Sequence, residues 1–237
     1  MEIENHKEEV PFGHYEELFR KADPMEITGR LPGVKWDGKE FFLDLLGKRY
    51  AISHPKYGIR EVAAGDGSFD SLRSLKMTGE GTLPGGSGKE RKDEYPVPVV
   101  GGNLPLQTFL LRYLLESKDV AWQGSWKTFR EMPWGELYIK PYTGRVLTRA
   151  AFTFATRLES FKAACQKMGA AAVSHGDAGY QFRLIGGYEM QILVWEGDDE
   201  FPPSAQVLYS DNFEQGFAPE DRVVAGDILI TAVKGNM

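Results

Sequence analysis

The sequence predicts an α+β fold in which a mainly antiparallel sheet, made of hairpins and a meander, packs with three or four helices. Three observations point there. Strand-length apolar runs come in clusters joined by tight glycine-bearing turns, at 41–62 and again at 171–209, which suits hairpins better than the regular strand–helix alternation of a parallel sheet. Segments with apolar residues at three- and four-residue steps lie outside those clusters, as amphipathic helices would. The chain has 237 residues, 42% hydrophobic and 26% charged, enough for a sizeable core.

Taken in order, residues 1–10 read as a solvated flexible leader, and 11–237 as a single domain. Tyr15, Leu18, Phe19 and Ala22 fall at helical spacing, and Pro24 ends the pattern. After a Gly/Pro-rich turn region at 29–38, Phe41, Leu43 and Leu45 alternate as a strand. Gly47-Lys48 forms a hairpin tip into a strand at 50–53, and a further short strand follows at 59–62.

Residues 65–103 hold nine glycines and the charge run 89–94; they read as a linker, a lid or a partly stranded loop. Gly85-Gly86-Ser87-Gly88-Lys89 resembles a phosphate loop but fails its pattern, since Leu83 stands where the first glycine belongs and Glu90 where Ser or Thr should follow the lysine. Gly65-x-Gly67 likewise fails as a dinucleotide turn, with Asp70 in the third glycine position.

Asn103 caps the next helix, with Pro105 in its first turn and Leu106, Phe109, Leu110, Tyr113 and Leu114 on one face. Trp122, Trp126 and Phe129 have the four-then-three step of a helix packing on a core, while the same aromatic density through Trp134, Tyr138 and Tyr142 could wall a planar ligand. A second long helix is expected from Arg149 to Met168, capped by Thr148 and ended by Gly169, with Cys165 on its apolar stripe and therefore structural. A three-stranded meander follows at 171–175, 180–185 and 189–196, turning at 176–179 and at Gly186-Gly187. One more strand at 205–209 and a helix opened by Pro219-Glu220-Asp221 complete the chain.

Charge and cysteine usage narrow the function classes. A net charge of −6 argues against nucleic acid or an anionic membrane as main partner. The single cysteine excludes an intrachain disulfide or a cysteine-only metal site, which suits a cytoplasmic protein. The N-terminus lacks the apolar core of a signal peptide, and no run approaches a membrane span.

The stretch Gln191 to Pro203 draws the most attention, because an apolar strand empties into Asp198-Asp199-Glu200 and is stopped by two prolines. Together with His175 and Asp177 these acids could ligate Mg²⁺, Mn²⁺ or Ca²⁺ for a metal-dependent hydrolysis. Against this, successive side chains of an extended segment point to opposite sides, and acidic runs before prolines are commonly solvated turns. The other candidate site is a binding surface of Trp126, Arg130, Trp134, Arg183 and Trp195, in which an arginine would meet a ligand carboxylate. Neither His-Glu-x-x-His nor Gly-x-Ser-x-Gly occurs, and no catalytic residue is assigned.

Several phrases carry a family resemblance: Trp126-Lys-Thr-Phe-Arg-Glu-Met-Pro-Trp-Gly135, His175-Gly-Asp177, Val194-Trp-Glu-Gly-Asp-Asp-Glu-Phe-Pro-Pro203, Leu-Leu-Gly-Lys-Arg-Tyr50 and Ala218-Pro-Glu-Asp221. In order and spacing, over most of 40–232, the chain resembles the bacterial and archaeal domain-of-unknown-function family 3786. The resemblance implies a soluble protein of a family common in anaerobes and without an assigned reaction. Some members resemble fusions to a cysteine-rich iron–sulfur segment; this chain has no such cysteines. The expected function is a small-ligand or partner-binding accessory module of anaerobic metabolism. Its partner would be a small planar or carboxylate-bearing ligand or a cofactor protein, and no resident cofactor is expected.

Overall fold

The computed structural model describes residues 6–62 and 103–237; the glycine-rich loop and the phosphate-loop resemblance lie outside the described residues. Helix α1 (His6–Lys21) begins inside the stretch read as a leader. Pro24 does not merely stop α1 but opens α2 (Pro24–Arg30): it sits in the first turn, and the Asp23 side chain accepts from the Met25 N–H at 2.8 Å, so proline's missing donor costs nothing there.

Four short strands follow, β1 (Lys35–Trp36), β2 (Glu40–Leu45), β3 (Lys48–Ser53) and β4 (Gly58–Glu61). The β2–β3 turn is Leu46-Gly47, one residue earlier than expected, and both residues have positive φ (48° and 80°). That is the twist a two-residue hairpin requires. Leu46 accepts the unfavourable conformation because its side chain is buried and its N–H bonds the Leu184 carbonyl at 2.8 Å.

Helix α3 (Leu104–Glu116) starts as expected, with Asn103 accepting from Leu106 N–H at 3.0 Å and the apolar face buried. The aromatic segment departs from its helical spacing. Trp126 lies in β5 (Trp126–Thr128), and Phe129 to Glu131 make a 3₁₀ turn. Of the three aromatic residues only Phe129 is core; Trp122 rests edge-to-face on Trp126 at 4.9 Å, both partly exposed. Pairing of β5 with the last strand thus overrides the local period.

Helix also begins earlier than Arg149. α4 (Gly135–Tyr142) runs into a π-helical stretch at 143–148, then α5 (Arg149–Phe154), a 3₁₀ turn and α6 (Leu158–Lys167). Pro141 and Gly144 hide this run from sequence reading. The helix survives by widening just after the proline, and Thr148 is in mid-helix, making no capping bond. Cys165 is buried, and burial pushes its thiol pKa far up.

The meander forms as β6 (Ala171–Val173), β7 (Ala178–Ile185) and β8 (Tyr188–Trp195), followed by β9 (Ser204–Ser210), α7 (Phe213–Gly216) and α8 (Pro219–Gly235). Among the described residues every pairing is antiparallel, in the order β4-β3-β2-β7-β8-β9-β5, with β1 on β2 and β6 on β7. The fold is α+β; even with the divided 135–167 run counted once, the described residues hold six helices rather than three or four, because α2 and α7 are too short to leave a periodic signal.

The core lies between β7–β9 and the helices. Phe154 stacks on Phe161 at 4.7 Å and Phe129 on Tyr142 at 4.0 Å, while Tyr188, Phe213, Phe217 and Tyr113 form a contiguous aromatic cluster. Among the described residues, no helix is long and apolar enough to cross a membrane.

Candidate cleft at the start of helix α8

The sequence-predicted site residues do not converge. Trp126 pairs with Ser210 at one end of β9, and Trp195 with Ser204 at the other, so the two tryptophans stand about 20 Å apart along the strand. Arg130 is exposed and paired with Glu136 at 2.9 Å; Arg183 is exposed and 3.6 Å from Glu189, its cross-strand neighbour. Of these, Trp134 lines one of the two clefts described below.

At the far end, the acidic turn is closed by its own backbone. Asp198 Oδ1 accepts from the N–H groups of Glu200 (2.9 Å) and Phe201 (2.7 Å), and Asp198 N–H bonds the Phe201 carbonyl at 2.9 Å. The Phe201 and Glu200 N–H groups hold the Asp198 carboxyl below its usual pKa. Asp177 Oδ2 likewise accepts from Glu196 N–H at 2.8 Å. Asp199, Glu200 and His175 are exposed. Among the described residues, no group of three His, Cys, Asp or Glu is placed to hold a metal ion.

Two adjoining clefts lie at the other end of β9, on either side of α7. The larger, about 360 Å³, is bordered by Val120 to Lys127 and Asp211 to Gln215. Its polar groups serve one another: Asp211 accepts from Gln123 N–H (3.0 Å), Ser125 N–H (3.1 Å) and Ser125 Oγ (2.5 Å), and Lys127 pairs with Glu214 at 2.5 Å. These bonds tie the 117–125 loop to the sheet.

The second cleft, about 300 Å³, is different in kind. It is walled by Arg112 and Glu116 of α3, by Pro133 and Trp134, and by the segment from Glu214 to Arg222 that enters α8. Trp134 has φ 65°, ψ 2°, a left-handed conformation uncommon for a bulky residue, and is 68% exposed. Two neighbours impose it. A Cβ at position 135 would stand 2.0 Å from the Phe129 carbonyl oxygen, so only glycine fits after the turn. The guanidinium of Arg222, only 2% exposed, donates to the Pro133 carbonyl at 2.8 Å and to the Glu214 carbonyl at 3.1 Å. A buried cation thus clamps both walls and fixes the peptide that presents the indole.

Asp221 is also buried, and loss of solvent pushes its pKa up to about 7; Arg112 opposes the shift, while Glu116 and Glu220 add to it. Arg112 Nε lies 3.2 Å from Asp221 and 3.4 Å from Glu116 without the angle for a hydrogen bond to either, and the guanidinium sits over the Tyr15 ring at 5.2 Å. Glu220 is engaged by the Tyr138 hydroxyl. The cleft therefore combines an exposed aromatic plate, a partly exposed guanidinium whose buried Nε has no hydrogen-bond partner, and a carboxyl near its midpoint at neutral pH. Perturbed groups gathered in a concavity are the usual mark of a functional site.

The sequence profile described as Domain of unknown function (DUF3786) matches residues 82–232. The chain belongs to that family. The DUF3786 match takes in Arg112, Glu116, Trp134, Asp221 and Arg222, and the acidic turn as well. It leaves out α1, α2 and β1–β4, including the Leu45 to Tyr50 phrase and Tyr15, so the family region is shorter than the resemblance from residue 40 suggested. No curated protein matches the chain, and no solved structure does. Two quoted family phrases, the one ending in Trp134-Gly135 and the one ending in Asp221, meet across this cleft. Asp221 and Arg222 were legible only as a helix start; the acidic first turn after Pro219 signals the helix, and nothing local signals that both side chains are buried.

Proposed function

We propose that the protein is a binding module that receives a small planar, carboxylate-bearing ligand in the cleft between α3, Trp134 and the start of α8. The observation that carries this reading is the exposed Trp134, held in a left-handed conformation by buried Arg222; strain of that kind persists only where surrounding structure imposes it. The indole offers a rigid plate for stacking. With Asp221 partly protonated at neutral pH, Arg112 has charge left for a ligand carboxylate, and the Asp221 carboxyl can itself donate a hydrogen bond. This assigns to Arg112 the role that the sequence suggested for Arg130 or Arg183. Cytoplasmic residence and a place in anaerobic metabolism enter the proposal only through cysteine usage and the family resemblance.

The test is a thermal-shift and calorimetric titration with a panel of aromatic mono- and dicarboxylates. A ligand at about a hundred times its Kd should add roughly 2.7 kcal/mol to the stability of the native state. The shift should vanish in Trp134→Ala and in Arg112→Gln. Absence of any saturable shift across the panel, or a shift retained by both variants, overturns the proposal.

A further inference from the structure

The run from α4 to α5 is two-sided. Tyr142, Val146, Ala150, Phe154 and Leu158 recur every four residues and are buried. Two residues out of step, and so on the opposite side of the helix, Lys140, Gly144, Thr148 and Phe152 are exposed. Leu137 and Pro141 flank the same side and are exposed too. Leu137 is 72% and Phe152 60% exposed, values far above those of core residues. With Trp134 at its start, this ridge spans roughly 25 Å of helix. Leu137, Pro141 and Phe152 are its large apolar groups, with Lys140, Gly144 and Thr148 between them, and exposed apolar residues gathered on one side of a helix offer anchors to a partner.

Charge says what covers it. Between residues 135 and 157 stand four basic residues, Lys140, Arg145, Arg149 and Arg157, and one acid, Glu136, in a chain whose net charge is −6. Arg145 and Arg149 share the single carboxylate of Asp227, Glu136 is taken by Arg130, and neither Lys140 nor Arg157 makes an ion pair with any described residue. The ridge is thus flanked by positive charge without a paired carboxylate among the described residues, on an acidic protein. A second copy would present the same positive flank and so cannot supply the missing carboxylates.

We infer that the exposed ridge from Leu137 to Phe152 docks an acidic amphipathic helix of another protein, apolar side chains laid along Leu137, Pro141 and Phe152 and carboxylates meeting Lys140 and Arg157. The partner's apolar stripe would meet exposed apolar residues four and then eleven positions apart on this helix, and the basic flank orients the partner and speeds encounter. The surface adjoins the cleft at Trp134 but does not depend on it.

A probe peptide of roughly 18 residues, with leucine at helical spacing and glutamate elsewhere, tests the inference by fluorescence anisotropy. Its comparators are the same peptide with lysine for glutamate and vesicles of phosphatidylserine and phosphatidylcholine. The acidic peptide should bind at least about tenfold more tightly than the basic one and weaken with added salt. Leu137→Asp and Phe152→Asp should each reduce its affinity about tenfold, and Lys140→Glu by a smaller factor. All three positions are exposed, and Phe152→Ser serves as a second variant should the aspartate disturb folding. The same variants should keep the aromatic-carboxylate shift, which separates this surface from the cleft. Equal binding of both peptides, no binding, unchanged binding by the variants, preference for vesicles, or self-association lost in Leu137→Asp would each overturn it.

Discussion

The two ends of β9 hold the chain's two most suggestive groups of charged residues, and they are built in opposite ways. At the Ser204 end, Asp198, Asp199 and Glu200 are crowded in sequence but exposed in space, and the one carboxylate with defined partners is occupied by backbone N–H groups that hold its pKa down. At the Ser210 end, Arg112 of α3 meets Asp221 and Arg222 of the distant α8; the three are largely buried and leave donor capacity unfilled. Density of acids along the chain is a weak guide to chemistry, because water screens an exposed carboxylate whatever its neighbours. Burial makes a charge consequential.

The largest effect should come from removing the clamp. Arg222→Met leaves the Pro133 and Glu214 carbonyls without their charged donor, and we expect a loss of about 3–5 kcal/mol in urea denaturation, with Trp134 fluorescence more readily quenched. A loss below about 1 kcal/mol would place the cleft on the same footing as the turn. Gly135→Ala should cost about 3 kcal/mol through its collision with the Phe129 carbonyl. Gly144→Ala, with nothing within 4 Å of the new Cβ, is the control and should be neutral or slightly stabilising.

Titration separates the two ends by sign. Asp221 has its folded pKa raised to about 7, so the native state holds a proton that the unfolded chain has released. Its contribution to stability is full below the ordinary aspartate range and is lost as pH rises through about 7. Denaturation midpoints from pH 5 to 8 should fall, by the equivalent of on the order of 1–3 kcal/mol, and Asp221→Asn should flatten that slope. A stability that rises across this range in the native protein and not in the variant would refute the assignment. Asp198 runs the other way: its folded pKa is depressed, so its contribution is present above the ordinary range and fades as pH drops through the lowered value.

The smallest effects belong to the acidic turn. Asp198→Ala should lower Tm modestly, since two backbone N–H groups lose their acceptor, and Asp199→Ala or Glu200→Ala should leave it unchanged. Mg²⁺, Mn²⁺, Ca²⁺ and Zn²⁺ should produce no saturable rise in Tm. A rise abolished by Asp199→Asn would reverse the comparison and make the turn the site.

Sequence reading served best where local rules and tertiary context agree. The Gly186-Gly187 turn, the meander, α3 with its Asn103 cap and α8 with Pro219 in its first turn all formed as expected, because each rests on backbone chemistry within a few residues. It faltered where one residue type has two uses. Pro24 can end a helix or begin one, and Pro141 with Gly144 can stop a helix or be absorbed by a wider turn. The Trp122–Trp126–Phe129 spacing gave way to pairing with a strand eighty residues downstream in the chain. Phe201, whose backbone closes the acidic turn, is itself 67% exposed. Of the site, Trp134 was singled out but Arg112, Asp221 and Arg222 were not, since their significance arises from burial against α3 and α7.

The joint between β2 and β7 has a consequence for how the molecule breathes. The two strands meet through one residue pair, Leu45 with Ile185, reinforced by the bond from Leu46 N–H to the Leu184 carbonyl. The N-terminal hairpins are otherwise held to the rest by helices, with α1 against α3 and Arg30 reaching the Leu114 carbonyl. A ladder one rung wide transmits little cooperativity. Amide hydrogens of β2–β4 should therefore exchange as one block and those of β7–β9 as a slower second one, with the border falling at a seam whose β2 side lies upstream of the family match and whose β7 side lies within it.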